Sequence, residues 1–500
     1  MTTPLLFRRY QQVLEISANG QGLGPLERQL ITEQLTYKAK KFNFGAAAWD
    51  RVTGDRHPVS IEVRRLYQVD DMGRLACGIG FLDRLYTLLA GRGYPIQYLD
   101  QTEPSPRPDA YYFDLQRVLA AGVEFRHRQD EVATLISQRE RGIIKAVAGF
   151  GKSYCVATIA LAFPYAKIAV AVPGAEIMRD MMGKLTKYLP HVGQFGCGKH
   201  KRGTRINLYS FGSLHHCDEP PDILIADEVH RIAAESYSRN LASITTHARM
   251  FGFSATPSGR SDGADIRAES FFGPIIFELD WDEARANNLV PDLEVHWHPV
   301  TMAVNPSAGK QGVAKKRAGI WRNHARNAAI AAVARVYPPE ESVLIMVETI
   351  DHAVYLQQHL PEYTLCYANI DKKRYEQYQN RELLGADFTP LTEQDREQMQ
   401  HDFREGRLRK VISTSVWGTG VSFDHLRVVI RADGAAGNSI KDEQLPGRAT
   451  RIHANKQVAR LHDFVDLFDD TFENNSKRRR ANYKKKGWIQ IDHGNVGIRG

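Results

Sequence analysis

Short apolar runs rich in β-branched residues alternate with helix-like segments in two successive series, and this alternation limits the possible folds more than any other feature. GIIKAVAG, AKIAVAVPG, TRINLYS, DILIADE and MFGFSAT make up the first series. SVLIMVE (342–348), YTLCYA (363–368), RKVISTS (409–415), LRVVIRAD (426–433) and ARLHDFVDL (459–467) make up the second. Continuous apolar runs bounded by turns are how strands buried on both faces of a parallel sheet read. The expected class is therefore α/β, with two parallel-sheet domains in tandem. A chain of 500 residues is too long for one hydrophobic core, which agrees with several domains.

Ahead of the first series, LTYKAKKFNF (35–44) and HPVSIEVRRLYQV (57–69) read as strands around a turn-rich stretch. Leu75, Ile79, Leu82, Leu85 and Leu89 are spaced as a helix over 74–90, and YPIQYLD reads as a short strand. Residues 1–30 carry no clear pattern. This predicts a small α+β module at 1–110, ending in the Pro-rich TEPSPRPDA (102–110), which has the composition of a semi-rigid linker. The parallel-sheet domains then occupy 111–283 and 284–470, and 471–500 is a basic tail. Like charges run together in SKRRRANYKKKGW, so the tail is expected not to fold alone. NPSAGKQGVAKKRAG (305–319) reads as a mobile basic insertion.

Sixty-six Lys and Arg against 58 Asp and Glu leave a formal charge of +8, which suits a polyanionic partner. Hydrophobic residues at 43% and charged residues at 25% exclude wholesale disorder. The five cysteines are odd in number and dispersed, which argues against a disulfide framework and for a reducing compartment. No run approaches the ~20 apolar residues of a membrane helix, and MTTPLLFRRY lacks the apolar core of a signal peptide. A cytoplasmic protein without a membrane partner is expected.

The strongest local signal is AVAGFGKS (146–153), placed between the strand-like GIIKAV and the helical YCVATIALAF. Phosphate oxygens need several convergent N–H donors, and a glycine turn running into a helix N-terminus supplies them. Gly149 and Gly151 allow the turn, Lys152 adds charge and Ser153 offers magnesium an oxygen. Ala146 stands where the strict P-loop pattern has Gly. The second signal is ILIADEVH (223–230), an apolar strand ending in two carboxylates. Parallel sheets place ligand sites at strand C-termini, so Asp227 is a candidate magnesium ligand and Glu228 a candidate base for the attacking water.

In this order the motifs resemble those of superfamily 2 helicases and translocases. FRHRQ (125–129) is similar to the adenine-reading segment, which implies nucleotide roles for Arg126 and Gln129. FSATP (253–257) resembles the motif linking hydrolysis to nucleic acid and implies a nucleic-acid role for Thr256. STSVWGTGVSFD (413–424) resembles the motif touching both strand and nucleotide, with Thr414, Gly418 and Gly420 matching. QLPGRATR (444–451) resembles the Q-x-x-G-R-x-x-R signature, so Gln444, Arg448 and Arg451 are implied catalytic residues, the two arginines facing the γ-phosphate. Val147 and Ala148 replace the usual Pro-Thr, and Phe150 is bulky. The resemblance implies two RecA-like domains, ATP and Mg2+ as cofactors, and nucleic acid as partner.

The stretch from SATP through SDGAD to FFGPIIFELDW most resembles the branch containing the phage recombination helicase UvsW and the repair helicase XPB. The pair Trp49 and Asp50 in the N-terminal module fits that branch. The branch implies duplex or branched DNA in preference to RNA, recombination or replication proteins as further partners, and a bacterial or phage-infected cytoplasm. The alternatives are an RNA helicase, the motor subunit of a nuclease system, and a nucleic-acid-binding scaffold with a degenerate ATPase.

Basic positions outside the motifs are candidate backbone contacts. Lys38 and Lys40 lie in the first strand of the N-terminal module, and Arg478 and Arg479 in the tail. Cys197, His200, His215, His216 and Cys217 have a superficial zinc-ligand spacing, but closed Cys pairs are missing, so a basic loop reaching nucleic acid is the expectation.

Overall fold

A computed structural model describes residues 3–42, 59–232, 241, 244, 247–257, 265–367, 370–384, 389–414, 417, 423, 425–436 and 458–494. Two compact units are formed, one of residues 1–147 with 151–279, the other of 148–150 with 280–500.

The first unit holds an eight-stranded sheet in the order Lys199–Lys201, Gly193–Gly196, Ile206–Ser210, Ile168–Val172, Ile223–Asp227, Arg249–Ser254, Arg141–Ala146, Ile275–Leu279. Every pairing is parallel except that of Lys199–Lys201. The central strands IAVAV and ILIAD are buried at every position, as strands covered on both faces must be. The helix Lys152–Ala162 is buried almost all round between its neighbours. Parallel pairing brings Ala146, Val172, Ser210, Asp227 and Ser254 to one edge of the sheet, where the functional loops begin.

The N-terminal module is a mixed five-stranded sheet, Tyr67–Val69, Leu75–Gly78, Val13–Ala18, Leu5–Tyr10 and Ile96–Asp100 in spatial order, with the helices Pro25–Gln34 and Leu82–Ala90. A separate hairpin pairs Thr36–Phe42 with Val59–Arg65. Two expectations are corrected here. The stretch without a clear pattern forms a hairpin, Leu5–Tyr10 with Val13–Ala18, and the start of the helix Pro25–Gln34, and the helix expected over 74–90 starts only at Leu82. Leu75 and Cys77 are instead alternating inward residues of a strand paired with Val13–Ile16.

The module is fastened to the parallel sheet by the helix Asp265–Phe272, which serves two cores. Ala268 and Phe272 pack into the core of the sheet, and Ile266 packs against the core of the module. A Cβ on Gly80 would lie 1.9 Å from the Glu269 carbonyl, and one on Gly78 2.5 Å from that of Ser270, so only glycine permits this approach. Arg84 forks onto Glu269 at 2.7 and 2.5 Å. Arg141, the first residue of the P-loop strand, donates to the Phe271 carbonyl at 2.6 Å and to Gln12 at 3.0 Å. The Pro-rich linker is pinned as well, by Arg107 on Asp222 at 2.5 Å and the Tyr111 hydroxyl on the His247 carbonyl at 2.9 Å.

The second unit holds a seven-stranded, wholly parallel sheet: Thr364–Cys366, Lys410–Ser413, Val343–Met346, Val428–Arg431, Val458–Asp466, Asp292–Val300, Ile489–Asp492. Two further expectations are corrected. The insertion 305–319 leads through a helical turn, Gly312–Lys316, into a wider one, Arg317–Trp321, that buries Ile320 and Trp321. Its charges are paired, Lys315 with Asp469 at 2.9 Å and Lys316 with Glu348 at 2.6 Å.

The tail at 471–500 is not a separate appendage. It forms the helix Asp470–Lys485, then the strand Ile489–Asp492, which extends the sheet beside Glu294–Trp297. Asp469 caps the helix by accepting from Thr471 N–H at 2.9 Å. Acidic Asp470 and Glu473 occupy its first turn and basic Lys484 and Lys485 its last, the order that the helix dipole favours. Four residues, Phe472, Ser476, Arg479 and Tyr483, make its buried stripe. The remaining like charges are thereby spread over a face that needs no burial.

Four histidines form a column across this sheet. His298 Nε2 lies 2.8 Å from His462 Nδ1, His296 Nδ1 lies 2.8 Å from His493 Nε2, and the Tyr337 hydroxyl meets His462 Nε2 at 2.5 Å. Glu294 and Arg460 are the charged neighbours. Burial, then the other histidines, pulls His298 down to about 4 and lowers His462, and burial lowers His296 against the opposing pull of Glu294. The unfolded chain therefore takes up protons first as pH falls below ~6.5, and the native state loses stability from there toward pH 4. The unfolding free energy from urea titration should fall between pH 7.5 and 5, by ~1–2 kcal/mol after allowance for partial exposure, and His298→Gln should flatten the dependence. An equal pH slope in both proteins would remove the histidine column as its cause.

Candidate active site

Three neighbouring strands bring the site together. The P-loop follows Arg141–Ala146, the acidic pair ends Ile223–Asp227, and the SATP segment ends Arg249–Ser254, which lies between the other two. Asp227 is level with Phe253, so Glu228 and Ser254 are the next residues along on adjacent strands. Gly252 has Val229 over it, where a Cβ would approach Val229 Cγ2 to 2.6 Å.

In the P-loop, Gly149 and Gly151 have φ of +99° and +91°, conformations that L-residues rarely take. A Cβ on Gly151 would also meet Gln129 Nε2 at 2.7 Å. The Lys152 ammonium donates to the carbonyls of Ala146 at 3.0 Å and Val147 at 3.4 Å, which holds it across the loop. Ser153 is the second residue of the helix that the loop enters. Gln129 is buried, and its Oε1 accepts the backbone N–H of Arg126 at 3.0 Å, so the FRHRQ turn and the P-loop are packed on each other.

Asp227 is buried, and its Oδ1 accepts Glu228 N–H at 2.9 Å. Burial, then the adjacent Glu228, pushes Asp227 up to about 7, with Lys152 acting in the opposite direction. The rise disfavours the charged form of a carboxyl that is buried beside a second one. Glu228 has φ of +50°, an uncommon conformation for a non-glycine residue and typical of constrained functional positions.

One connection escaped the sequence reading. Buried His230 places Nδ1 2.9 Å from Ser254 Oγ and 3.4 Å from Glu228 Oε2. Ser254 Oγ also lies 3.4 Å from Glu228 Oε2 and accepts Thr256 N–H at 3.0 Å. The DEVH box and the SATP segment thus share a hydrogen-bonded cluster. The available signal was a histidine three residues beyond Asp227 together with a serine at the end of a neighbouring strand. Thr256 Oγ1 is buried and has no hydrogen-bond partner among the described residues.

Other candidates are placed separately. Thr414 is buried in the second unit, its N–H donating to the Cys366 carbonyl at 3.0 Å. Lys38 and Lys40 pair with Val63 and Ile61 in the hairpin register. Gln444, Arg448, Arg451, Gly418, Gly420, Trp49 and Asp50 lie outside the described residues. Arg479 is corrected as a nucleic-acid contact, since its guanidinium is fully buried on Asp463. Cys217 is buried and donates to the Glu219 carbonyl, and His200 packs edge-on against His216. No group of three or more potential ligands among the described residues could hold a metal ion.

Comparison with known proteins agrees with this architecture. Residues 116–259 match the family model "Type III restriction enzyme, res subunit", and residues 329–453 match "Helicase conserved C-terminal domain". The chain belongs to the superfamily 2 helicases, whose ATP-dependent motors are two RecA-like domains, and these are the two parallel-sheet regions described above. Among solved structures, Dbp5 from S. cerevisiae bound to RNA and ADP BeF3 superposes with a TM-score of 0.52 at 16% identity, covering 77% of this chain and 93% of that one. The type ISP restriction-modification enzyme LlaBIII bound to DNA gives a TM-score of 0.50 at 12% identity, covering 83% of this chain and 36% of that one. T4 UvsW covers 98% of this chain and 99% of that one at 14% identity, but its TM-score of 0.40 is too low to bear on the branch. No curated protein matches the sequence. No helix among the described residues is long and apolar enough to cross a membrane.

Proposed function

We propose that the chain is an ATP- and magnesium-dependent motor that moves on and remodels or unwinds duplex or branched DNA. The observation that carries this reading is the cluster at one sheet edge: Lys152 on the P-loop, Asp227 and Glu228 beside it, and His230 and Ser254 joining them to Thr256. Lys152 and the N–H groups at the start of its helix bind the phosphates, and Gln129 and Arg126 contact the adenine. Ser153 and Asp227 offer only oxygen atoms, the donor type that magnesium prefers, and would hold that ion. Bound there, magnesium would neutralise charge on the phosphate oxygens. Glu228 orients and deprotonates the attacking water. Arg448 and Arg451 contribute positive charge to the γ-phosphate, with Gln444 and Gly420 completing the nucleotide contacts. An arginine in that role contributes ~10³–10⁵ in rate.

DNA is favoured over RNA by the restriction-enzyme model over residues 116–259 and by the DNA-bound LlaBIII neighbour. RNA stays the alternative because of the RNA-bound Dbp5 neighbour. Thr256 and Thr414 are proposed strand contacts, and Lys38 and Lys40 proposed duplex contacts. Recombination or replication proteins are the proposed further partners. ATP turnover measured with duplex DNA, single-stranded DNA, a forked junction and RNA across a salt series tests this. The largest stimulation is expected from the forked or duplex DNA, by at least tenfold over the unstimulated rate. Stimulation by RNA alone would overturn the substrate.

A further inference from the structure

The helix Asp470–Lys485 is fixed in rotation about its own axis from the inside. Arg479 is the pin: its Nε donates to Asp463 Oδ2 at 2.9 Å, Nη2 to Asp463 Oδ1 at 2.9 Å and Nη1 to the Ala435 carbonyl at 2.6 Å. Tyr483 repeats the hold one turn on, accepting from Arg431 at 2.7 Å and donating to Asp463 at 3.2 Å. With Phe472, Ser476, Arg479 and Tyr483 turned inward, Lys477, Arg478, Lys484 and Lys485 emerge exposed on the opposite side. Lys477 is paired with Glu473 at 2.7 Å. Arg478, Lys484 and Lys485 have no ion-pair partner among the described residues. Seven residues at a rise of ~1.5 Å set Arg478 and Lys485 about 10 Å apart along one line. That is about three base steps of rise along the axis of duplex DNA.

We propose that this outward face is a rigid rail for the phosphate backbone of duplex DNA, binding without regard to sequence. The inference rests on the nucleic-acid motor reading above. Two features favour DNA over an anionic membrane. Between the cations the face presents Asn474 and Ala481, with no large apolar side chain to enter a bilayer. The cations are also held at fixed spacing by the buried stripe, which suits a regular polyanion. Buried Arg479 sets the aim of its exposed neighbours, while Arg480 is taken up by Asp492 and the face of Trp297.

The test is the salt dependence of full-chain binding to a duplex of mixed sequence, with and without Arg478→Gln, Lys484→Gln and Lys485→Gln together. Each lost phosphate contact lowers the log–log slope by ~0.9, so the triple variant should lose ~2.7. A second variant, Ala481→Glu, places a carboxylate among the four cations and should weaken binding at least fivefold. Both variants change exposed positions, so their thermal midpoints should match the parent. An unchanged slope with parental affinity in Ala481→Glu would overturn the rail, as would loss of binding to anionic vesicles with DNA binding intact. If the parent chain neither binds nor is stimulated by any nucleic acid, the motor reading itself fails, which is a different result.

Discussion

Lys152→Ala and Glu228→Gln are each expected to reduce ATP turnover to background while leaving DNA binding within a few-fold of the parent. Lys152 lies across the P-loop on the carbonyls of Ala146 and Val147, so its removal takes away the only charge placed inside the loop. Preorganised charge of this kind is worth ~10²–10³ in rate per donor. Glu228→Gln keeps the shape of the side chain but removes the base, worth ~10²–10⁴. The backbone at Glu228, at φ +50°, is shared by both side chains, so the loss would be chemical and not a change of fold. Phosphate release measures the first effect and duplex binding at fixed salt the second. Retained stimulated hydrolysis in both variants would sink the catalytic assignment and favour the scaffold alternative.

What could be read from the sequence follows a physical divide. The P-loop, the acidic strand end and the SATP segment are legible because each is a local event: a glycine turn, or an apolar run that stops at a polar residue. The parallel sheets are legible for the same reason, since strands buried on both faces carry their burial in their own composition. What stayed hidden depends on partners far along the chain. The contact of His230 with Ser254 needs two strands to be neighbours in register. The strand Leu75–Gly78 hides inside a helical spacing because Leu75 and Cys77 are judged inward only once Val13–Ile16 is beside them. The tail misleads most, because a run of charge reads as solvated unless one of its arginines has a buried acid waiting on another strand.

That buried acid supports the second large effect. Arg479→Met is expected to destabilise the chain by ~3–5 kcal/mol, since it leaves Asp463 buried without its principal cation. Asp463 would keep only the Phe464 N–H at 2.7 Å and the Tyr483 hydroxyl at 3.2 Å. The surroundings cannot readily relax. Arg326, likewise fully buried, already holds Asp466 at 2.8 Å and the Ala432 carbonyl at 2.7 Å. Arg431 is committed to Asp433, a carboxyl that burial would raise but that Arg431 holds well below the usual range. The cost therefore comes from the stranded charge more than from the lost bonds, and this distinction can be measured. In urea unfolding, Arg479→Met with Asp463→Leu should be more stable than Arg479→Met alone, because the second change removes the charge that the first left unpaired. If the double variant is the less stable of the two, packing of the arginine, and not its pairing, is what anchors the helix.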